Sequence, residues 1–63
     1  MIVEEYEKEI AGRFVSIVVK YEQDKPFPYS ALSTLSVDGS GKTLKEAKVK
    51  CEDATRMEII MNR

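Results

Sequence analysis

The stretch TLKEAKVKCEDATRMEIIM, residues 43–61, carries the strongest secondary-structure signal in the chain. Its apolar residues recur at intervals of three and four positions, the spacing of one side of an α-helix. They are Leu44, Ala47, Cys51, Ala54, Met57 and Met61. Thr43 and Glu46 form the T-x-x-E pattern of a capping box, which satisfies free backbone N–H groups at a helix start. The pattern predicts a helix over 43–61, with Gly39 and Gly41 as a flexible entry.

Two segments ahead of this helix have the composition of β-strands. RFVSIVVKY, residues 13–21, is rich in β-branched and aromatic residues, and YSALSTLSV, residues 29–37, returns as a second strand. Between them EQDKPFP contains two prolines, which cannot donate to a strand ladder, so this segment is predicted to be a loop. In the first strand, alternation places four residues on the face toward the helix: Val15, Ile17, Val19 and Tyr21. In the second strand, four residues share a common face: Tyr29, Ala31, Leu35 and Val37.

Residues 2–10 are compatible with two structures. Ile2, Tyr6 and Ile10 are spaced four apart, which fits a helix, but they also lie on one side of a strand. Two strands under one helix are barely stable, whereas three strands close a core. We therefore predict a strand, with a helix as the alternative, and a hairpin turn in which Gly12 takes a positive φ angle. The result is an α+β fold: a three-stranded antiparallel sheet packed on one C-terminal helix, in the order β-β-β-α.

The length of the chain limits how it can be stabilised. We expect residues 1–63 to form a single small domain, and a domain of this size buries only roughly 60% of the surface that its unfolded chain exposes. One cysteine forms no internal disulfide, and a chain without histidine lacks the usual zinc ligands, so no metal or cofactor is expected. A partner chain is the remaining source of stability.

Charge and hydropathy indicate the compartment. No apolar run approaches the ~20 residues of a membrane span, and the first ten residues are acidic where a secretory signal is basic. We therefore expect a cytoplasmic protein that does not bind membranes. The net charge is −1, but residues 1–12 hold four glutamates against one lysine, while residues 42–50 hold four lysines against one glutamate. The charge is therefore divided between two ends of the sequence.

Catalysis is not indicated by the residue types present. There is no histidine to act as a general base, and Cys51 lies on the apolar side of the predicted helix, where it acts as a small hydrophobic residue. The serines have no nearby base in sequence to activate them. We expect no enzymatic activity and no catalytic residues.

Four lysines crowd the start of the predicted helix: Lys42, Lys45, Lys48 and Lys50. The helix dipole is already positive there, so the arrangement is unfavourable by some tenths of a kcal/mol per charge. Two compensations are open. Three pairs at i,i+4 would balance the lysines on a solvated face: Glu46 with Lys50, Lys48 with Glu52, and Glu52 with Arg56. Alternatively, the lysines contact an external anion, either an acidic protein surface or nucleic-acid phosphate.

The run GSGKTLKEAK resembles the last motif of double-stranded-RNA-binding domains, G-x-G-x-S-K-K-x-A-K, which opens the final helix of that family. The residues in register are Gly39, Gly41, Thr43, Lys45, Ala47 and Lys48. The resemblance implies that Lys45 and Lys48 straddle a major groove and contact phosphates. It is the basis of the alternative prediction, a nucleic-acid-binding module.

The run GKTLKEA resembles the start of the helix in HicB-type antitoxin domains, which are small β-β-β-α units with a G-x-T-L-x-E-A motif. The matching residues are Gly41, Thr43, Leu44, Glu46 and Ala47. The resemblance implies the β-β-β-α fold, with the leucine and the alanine packed on the sheet. The resemblance concerns the fold rather than the activity.

Three further apolar residues lie off the main stripe of the helix: Val49, Ile59 and Ile60. Scattered exposed apolar residues are normal on proteins, but these three are also candidate contacts for a homodimer or a partner helix. An exposed edge strand would offer a second route to association. We predict a non-catalytic interaction protein that binds a protein partner and self-associates.

Overall fold

The computed structural model describes residues 1–62, which form four β-strands followed by one α-helix. The strands are β1 (Ile2–Ile10), β2 (Arg13–Tyr21), β3 (Tyr29–Ser33) and β4 (Asp38–Gly41), and the helix is α1 (Leu44–Met61). The strands form one sheet in the order β1-β2-β3-β4, with every neighbouring pair antiparallel. The predicted α+β class, antiparallel sheet and C-terminal helix are confirmed.

The prediction of three strands is wrong, because residues 29–37 do not form one continuous strand. The chain reverses after Ser33, whose carbonyl accepts a 3.0 Å hydrogen bond from the Ser36 N–H. The Ser33 N–H in turn donates to the Val37 carbonyl at 2.8 Å. Ser36 has φ 62°, which completes a type I turn followed by a left-handed residue. The sequence hides this hairpin, because a serine occupies the position where glycine normally signals the turn.

Residues 2–10 form a strand and not a helix, and β1 joins β2 through a two-residue turn. Ala11 has φ 50° and Gly12 has φ 85°, as the primed turns that suit twisted hairpins require. The predicted positive φ at Gly12 is therefore confirmed. A register shift between Ile2 and Glu4 marks a bulge at the start of β1.

The core lies between one face of the sheet and α1. It follows the period-two pattern of β2, where Val15, Ile17 and Val19 are fully buried. Ile10 and Ala31 complete the contribution of the sheet, and the helix adds Ala47, Cys51 and Ile59. Half-buried side chains pack around this cluster: Tyr6, Ala11, Tyr29, Leu35 and Leu44.

The buried side of α1 differs from the predicted stripe in its second half. Ala47, Cys51, Thr55 and Ile59 are buried, whereas Met57 and Met61 are 55% and 74% exposed. Steps of four residues advance about 40° each around a helix, so this buried line turns gradually around the axis. Such a turn is expected where a straight helix lies on a twisted sheet. The same turn brings Thr55 into the core in place of a larger apolar residue.

Gly39 and Gly41 are not a flexible entry to the helix, because both belong to β4 and lie directly beneath α1. A Cβ atom added at Gly39 would be 2.5 Å from the backbone nitrogen of Cys51. One added at Gly41 would be 2.8 Å from the Cβ of Glu46. The two glycines therefore allow the helix backbone to approach the sheet more closely than any side chain would permit.

Candidate protein-binding surfaces

The helix start is capped as the sequence predicts, but by one hydrogen bond. The Oγ1 atom of Thr43 accepts from the N–H of Glu46 at 3.1 Å. The carboxylate of Glu46 pairs instead with Lys50, at 3.2 Å, which confirms the predicted i,i+4 pair. Thr43 therefore caps the helix, and Gly41 and Ala47 pack closely at its start.

The four lysines of the helix start do not form one free cluster. Lys48 reaches across to β1, where its Nζ atom lies 3.0 Å from Glu4 and 4.7 Å from the centre of the Tyr6 ring. Lys50 pairs with Glu46 and lies 5.8 Å from the ring centre of Phe27. Two of the four charges are therefore balanced within the chain, one of them by the acidic N-terminal strand.

Lys42 and Lys45 are exposed, and within residues 1–62 neither forms an ion pair. They remain available to an external anion. Only two of the four lysines predicted to contact a phosphate backbone are thus available, so the basic surface is smaller than predicted. Exposed lysines of this kind contribute to binding mainly through long-range attraction, which salt screens.

A second polar cluster joins β1 to α1, with Glu52 at its centre. The Tyr6 hydroxyl donates to Glu52 Oε2 at 2.6 Å, and Lys8 donates to Oε1 at 2.9 Å. Burial raises the pKa of Glu52, but the hydrogen bonds from Tyr6 and Lys8 outweigh burial, so the pKa is lowered overall. Burial first, and then the bond to Glu52, raise the pKa of Tyr6. The anticipated i,i+4 partners of Glu52, Lys48 and Arg56, pair elsewhere.

Three residues were predicted as oligomer contacts, and the assignment of Ile59 to this group is wrong. Ile59 is 6% exposed and belongs to the core, because the buried side of α1 turns toward it. Val49 and Ile60 are exposed at 45% and 46%. They are 11 positions apart, about three helical turns, and therefore project from the same side of α1. Asp53 and Arg56 lie between them on that side.

The face of the sheet turned away from α1 has no cover in the described part of the chain. One row of paired residues crosses all four strands on this face, in the order Glu5, Val18, Leu32, Asp38. Leu32 is 50% exposed, and Phe14, on the same face of β2, is 78% exposed. The face therefore has an apolar centre at Val18 and Leu32 with a carboxylate at either end, and Phe14 lies apart from it, beside the turn between β1 and β2.

The charge of this open face is negative. Glu5, Glu7 and Glu9 alternate along β1 and pair with Val18, Ser16 and Phe14 of β2. Together with Asp38 they place four carboxylates on the open face. Lys20 of β2 is the lysine on this face. Two open depressions flank Val18, one beside Glu5 and Glu7 and one beside Leu32 and Asp38. They are shallow relative to small-molecule sites, which enclose most of a ligand.

Strand β1 forms one edge of the sheet. It pairs with β2 alone, and among residues 1–62 no other element hydrogen-bonds to its outer side. Alternate N–H and C=O groups along its nine residues therefore point to solvent. Such an edge is a template for a further strand.

The one cysteine of the chain lies in the core. Cys51 is fully buried, burial raises the pKa of its thiol, and its Sγ atom lies 3.5 Å from the Val37 carbonyl oxygen. Within residues 1–62 no three cysteine or carboxylate side chains converge on a point where a metal ion would fit. No helix among these residues has the length and apolar character needed to cross a membrane.

The sequence analysis proposed the lysines and the outer side of the helix as candidate binding surfaces. It did not identify the open face of the sheet as one. The signal of this face was the alternation of β1 and β2, where Glu5, Glu7, Glu9 and Phe14 occupy the positions between residues that face the helix. Comparisons of this chain with models of protein families, with curated proteins and with solved structures found no match.

Proposed function

We propose that this protein is a small, non-catalytic, cytoplasmic interaction protein that binds a protein partner and also self-associates. The observation that carries the first part is the open face of the sheet. Leu32 is exposed there beside half-buried Val18, and Phe14 is exposed four residues away along β2, in a chain whose core is small. Aromatic and aliphatic side chains inside a charged rim are typical of the centre of a protein interface.

Self-association is supported by the outer side of α1. In a symmetric antiparallel pair of helices, the two residue numbers of every facing pair add up to the same total. Val49 then lies against Ile60 of the second copy, and Asp53 against Arg56 of the second copy. The same register thus matches an apolar pair and an opposite-charge pair, each occurring twice by symmetry.

Binding of the partner is tested by capture from a native lysate with and without nuclease. The variant Phe14→Thr/Leu32→Thr removes two exposed apolar side chains from the open face and is expected to lose the captured protein. The matched variant Met57→Gln/Met61→Gln removes exposed apolar side chains from the helix and is expected to retain it. Equal capture by both variants would contradict binding through the sheet.

Self-association is tested by sedimentation equilibrium with a charge swap. Asp53→Arg and Arg56→Asp each place like charges opposite one another in the dimer, which should weaken it by about 1–2 kcal/mol, or roughly 5- to 30-fold. The double variant exchanges the two charges and is expected to restore the affinity. A chain that stays monomeric at high concentration would refute self-association.

Nucleic-acid binding is the second candidate function, and the exposure of Lys42 and Lys45 favours it. It predicts binding to duplex RNA or DNA that weakens steeply with salt and is lost in Lys42→Glu/Lys45→Glu. Capture that disappears after nuclease treatment would select this candidate over the protein partner. The negative open face opposes phosphate on that side of the molecule.

A further inference from the structure

We propose that the outer edge of β1 binds a basic β-strand of a partner protein, one with lysine or arginine at alternate positions. This inference rests on the proposed function, because it names the class of protein that the sheet recognises. It begins from the edge itself, whose nine residues pair with β2 on one side and are open on the other.

The pattern of charge on β1 determines which strand fits. Glu5, Glu7 and Glu9 project on the open face at every second position, the spacing of side chains on one face of a strand. A strand added to the edge places its own side chains about 5 Å from these three, within reach of an ion pair. Lysine or arginine at alternate positions would match all three carboxylates at once.

The other side of the added strand faces the side chains of β1 that are turned toward α1. Lys8 and Tyr6 on that side are already bonded to Glu52, and Glu4 is bonded to Lys48. These groups are satisfied within the chain and offer no further strong attraction. Small polar residues such as threonine therefore suit the intervening positions of the partner.

A second copy of this chain does not fit the edge. Symmetric antiparallel pairing of two β1 strands must keep the open faces on the same side. In the central registers Glu5 then lies opposite Glu5, Glu5 opposite Glu7, or Glu7 opposite Glu7 of the second copy. Like charges directly opposite are destabilising, so the glutamates that attract a basic strand also prevent the protein from pairing with itself here.

The experiment uses the full chain, labelled with ¹⁵N, and a nine-residue peptide of alternating threonine and lysine. Chemical-shift titration is expected to show saturable binding with the largest changes in β1. Two control peptides separate the contribution of charge from that of the backbone hydrogen bonds. Glutamate in place of lysine is expected to abolish binding, and N-methylation of the peptide along one edge, which removes strand hydrogen bonds, is expected to weaken it at least about tenfold.

Variants of the protein test the three glutamates. Glu5→Gln/Glu9→Gln is expected to weaken binding of the lysine peptide about three- to tenfold, because two exposed ion pairs are lost. Asp24→Asn/Glu58→Gln makes the same change in net charge at two exposed positions away from β1 and is expected to leave the affinity unchanged. Equal weakening by the two variants would show general attraction rather than recognition by β1.

The inference is overturned if the lysine peptide does not bind, if the glutamate peptide binds equally well, or if the N-methylated peptide binds with unchanged affinity. These outcomes leave the proposed function standing where the capture and sedimentation experiments succeed. Failure of those two experiments, with the peptide still bound to β1, would instead refute the proposed self-association and the role of the apolar centre.

Discussion

Tyr6 and Glu52 are 46 positions apart in the sequence and are joined by a 2.6 Å hydrogen bond between β1 and α1. The phenol donates to a carboxylate that also accepts from Lys8. Since the core of the helix side consists largely of small residues, this polar contact is a principal link between β1 and the helix. Its removal should therefore be measurable in the stability of the whole fold.

We expect Tyr6→Phe to lower the free energy of unfolding by about 1–2 kcal/mol, the usual loss for a hydrogen bond to a charged acceptor at a partly buried site. Urea denaturation monitored by circular dichroism measures the change. Tyr21→Phe is the control, because that ring packs edge-on against Tyr29 and its hydroxyl makes no bond among the described residues. Equal effects of the two substitutions would contradict the assigned role.

The same bond predicts how stability depends on pH. The pKa of Glu52 is lower in the folded chain than its unfolded value of about 4.3, so its contribution is full above that pH and is lost as the pH falls through the folded value. The pKa of Tyr6 is raised, so its contribution is present below about 10 and is lost in more alkaline solution.

Denaturation midpoints measured between pH 2 and pH 12 test this dependence. In Tyr6→Phe the alkaline loss of stability due to this residue should disappear and the acid loss should become smaller. In Glu52→Gln the acid loss due to this carboxyl should disappear. A pH profile of Tyr6→Phe that parallels the unmodified chain would show that the bond does not form in solution.

Gly39→Ala should destabilise the fold by at least about 2 kcal/mol, because its Cβ would lie 2.5 Å from the backbone of Cys51 and the helix would have to move. Ser40→Ala, at the neighbouring exposed position of β4, should change the free energy of unfolding by less than about 0.5 kcal/mol. Thermal unfolding of the two variants compares them directly. A mild effect of Gly39→Ala would mean that the helix lies farther from β4.

Ser36→Gly should stabilise the protein by about 0.5–1 kcal/mol, because Ser36 holds a φ of 62° that glycine adopts without strain. The same substitution at Ser40, in extended backbone, should be destabilising because glycine weakens a strand. Denaturant midpoints distinguish the two signs. Destabilisation by Ser36→Gly would argue against the turn that separates β3 from β4.

Phe14→Thr should leave stability within about 0.5 kcal/mol, because the ring is 78% exposed and packs on nothing in the core. Val15→Thr, its buried neighbour, should cost more than about 1 kcal/mol. The contrast is measured by urea denaturation of both variants. A large loss in Phe14→Thr would show that the ring supports the fold and is not displayed for a partner.

The sequence predicted those parts of the fold that depend on local pattern. Thr43 and Glu46 indicated the helix start, and the alternation of Val15, Ile17 and Val19 indicated the buried face of β2. The turn at Ser36 was not predictable in this way, because its left-handed residue is not a glycine. Ile59 was assigned to the outer side of the helix, whereas it is buried. A pattern of regular spacing along the helix takes no account of the twist of the sheet beneath it.

Long-range contacts escaped prediction for another reason. Glu52 was expected to pair within the helix, whereas its partners Tyr6 and Lys8 are on the first strand. Lys48 likewise pairs with Glu4 rather than with a helix neighbour. Such contacts depend on how β1 is placed beside α1, which only the assembled sheet determines. The indication of these contacts in the sequence was the division of charge between its two ends.

The most direct test of binding through the open face is a backbone chemical-shift map of the ¹⁵N-labelled protein with its captured partner. We predict that the largest changes lie at Glu5, Phe14, Val18 and Leu32, with small changes at Lys42 and Lys45. Changes concentrated at the two lysines, with the open face unaffected, would contradict the account.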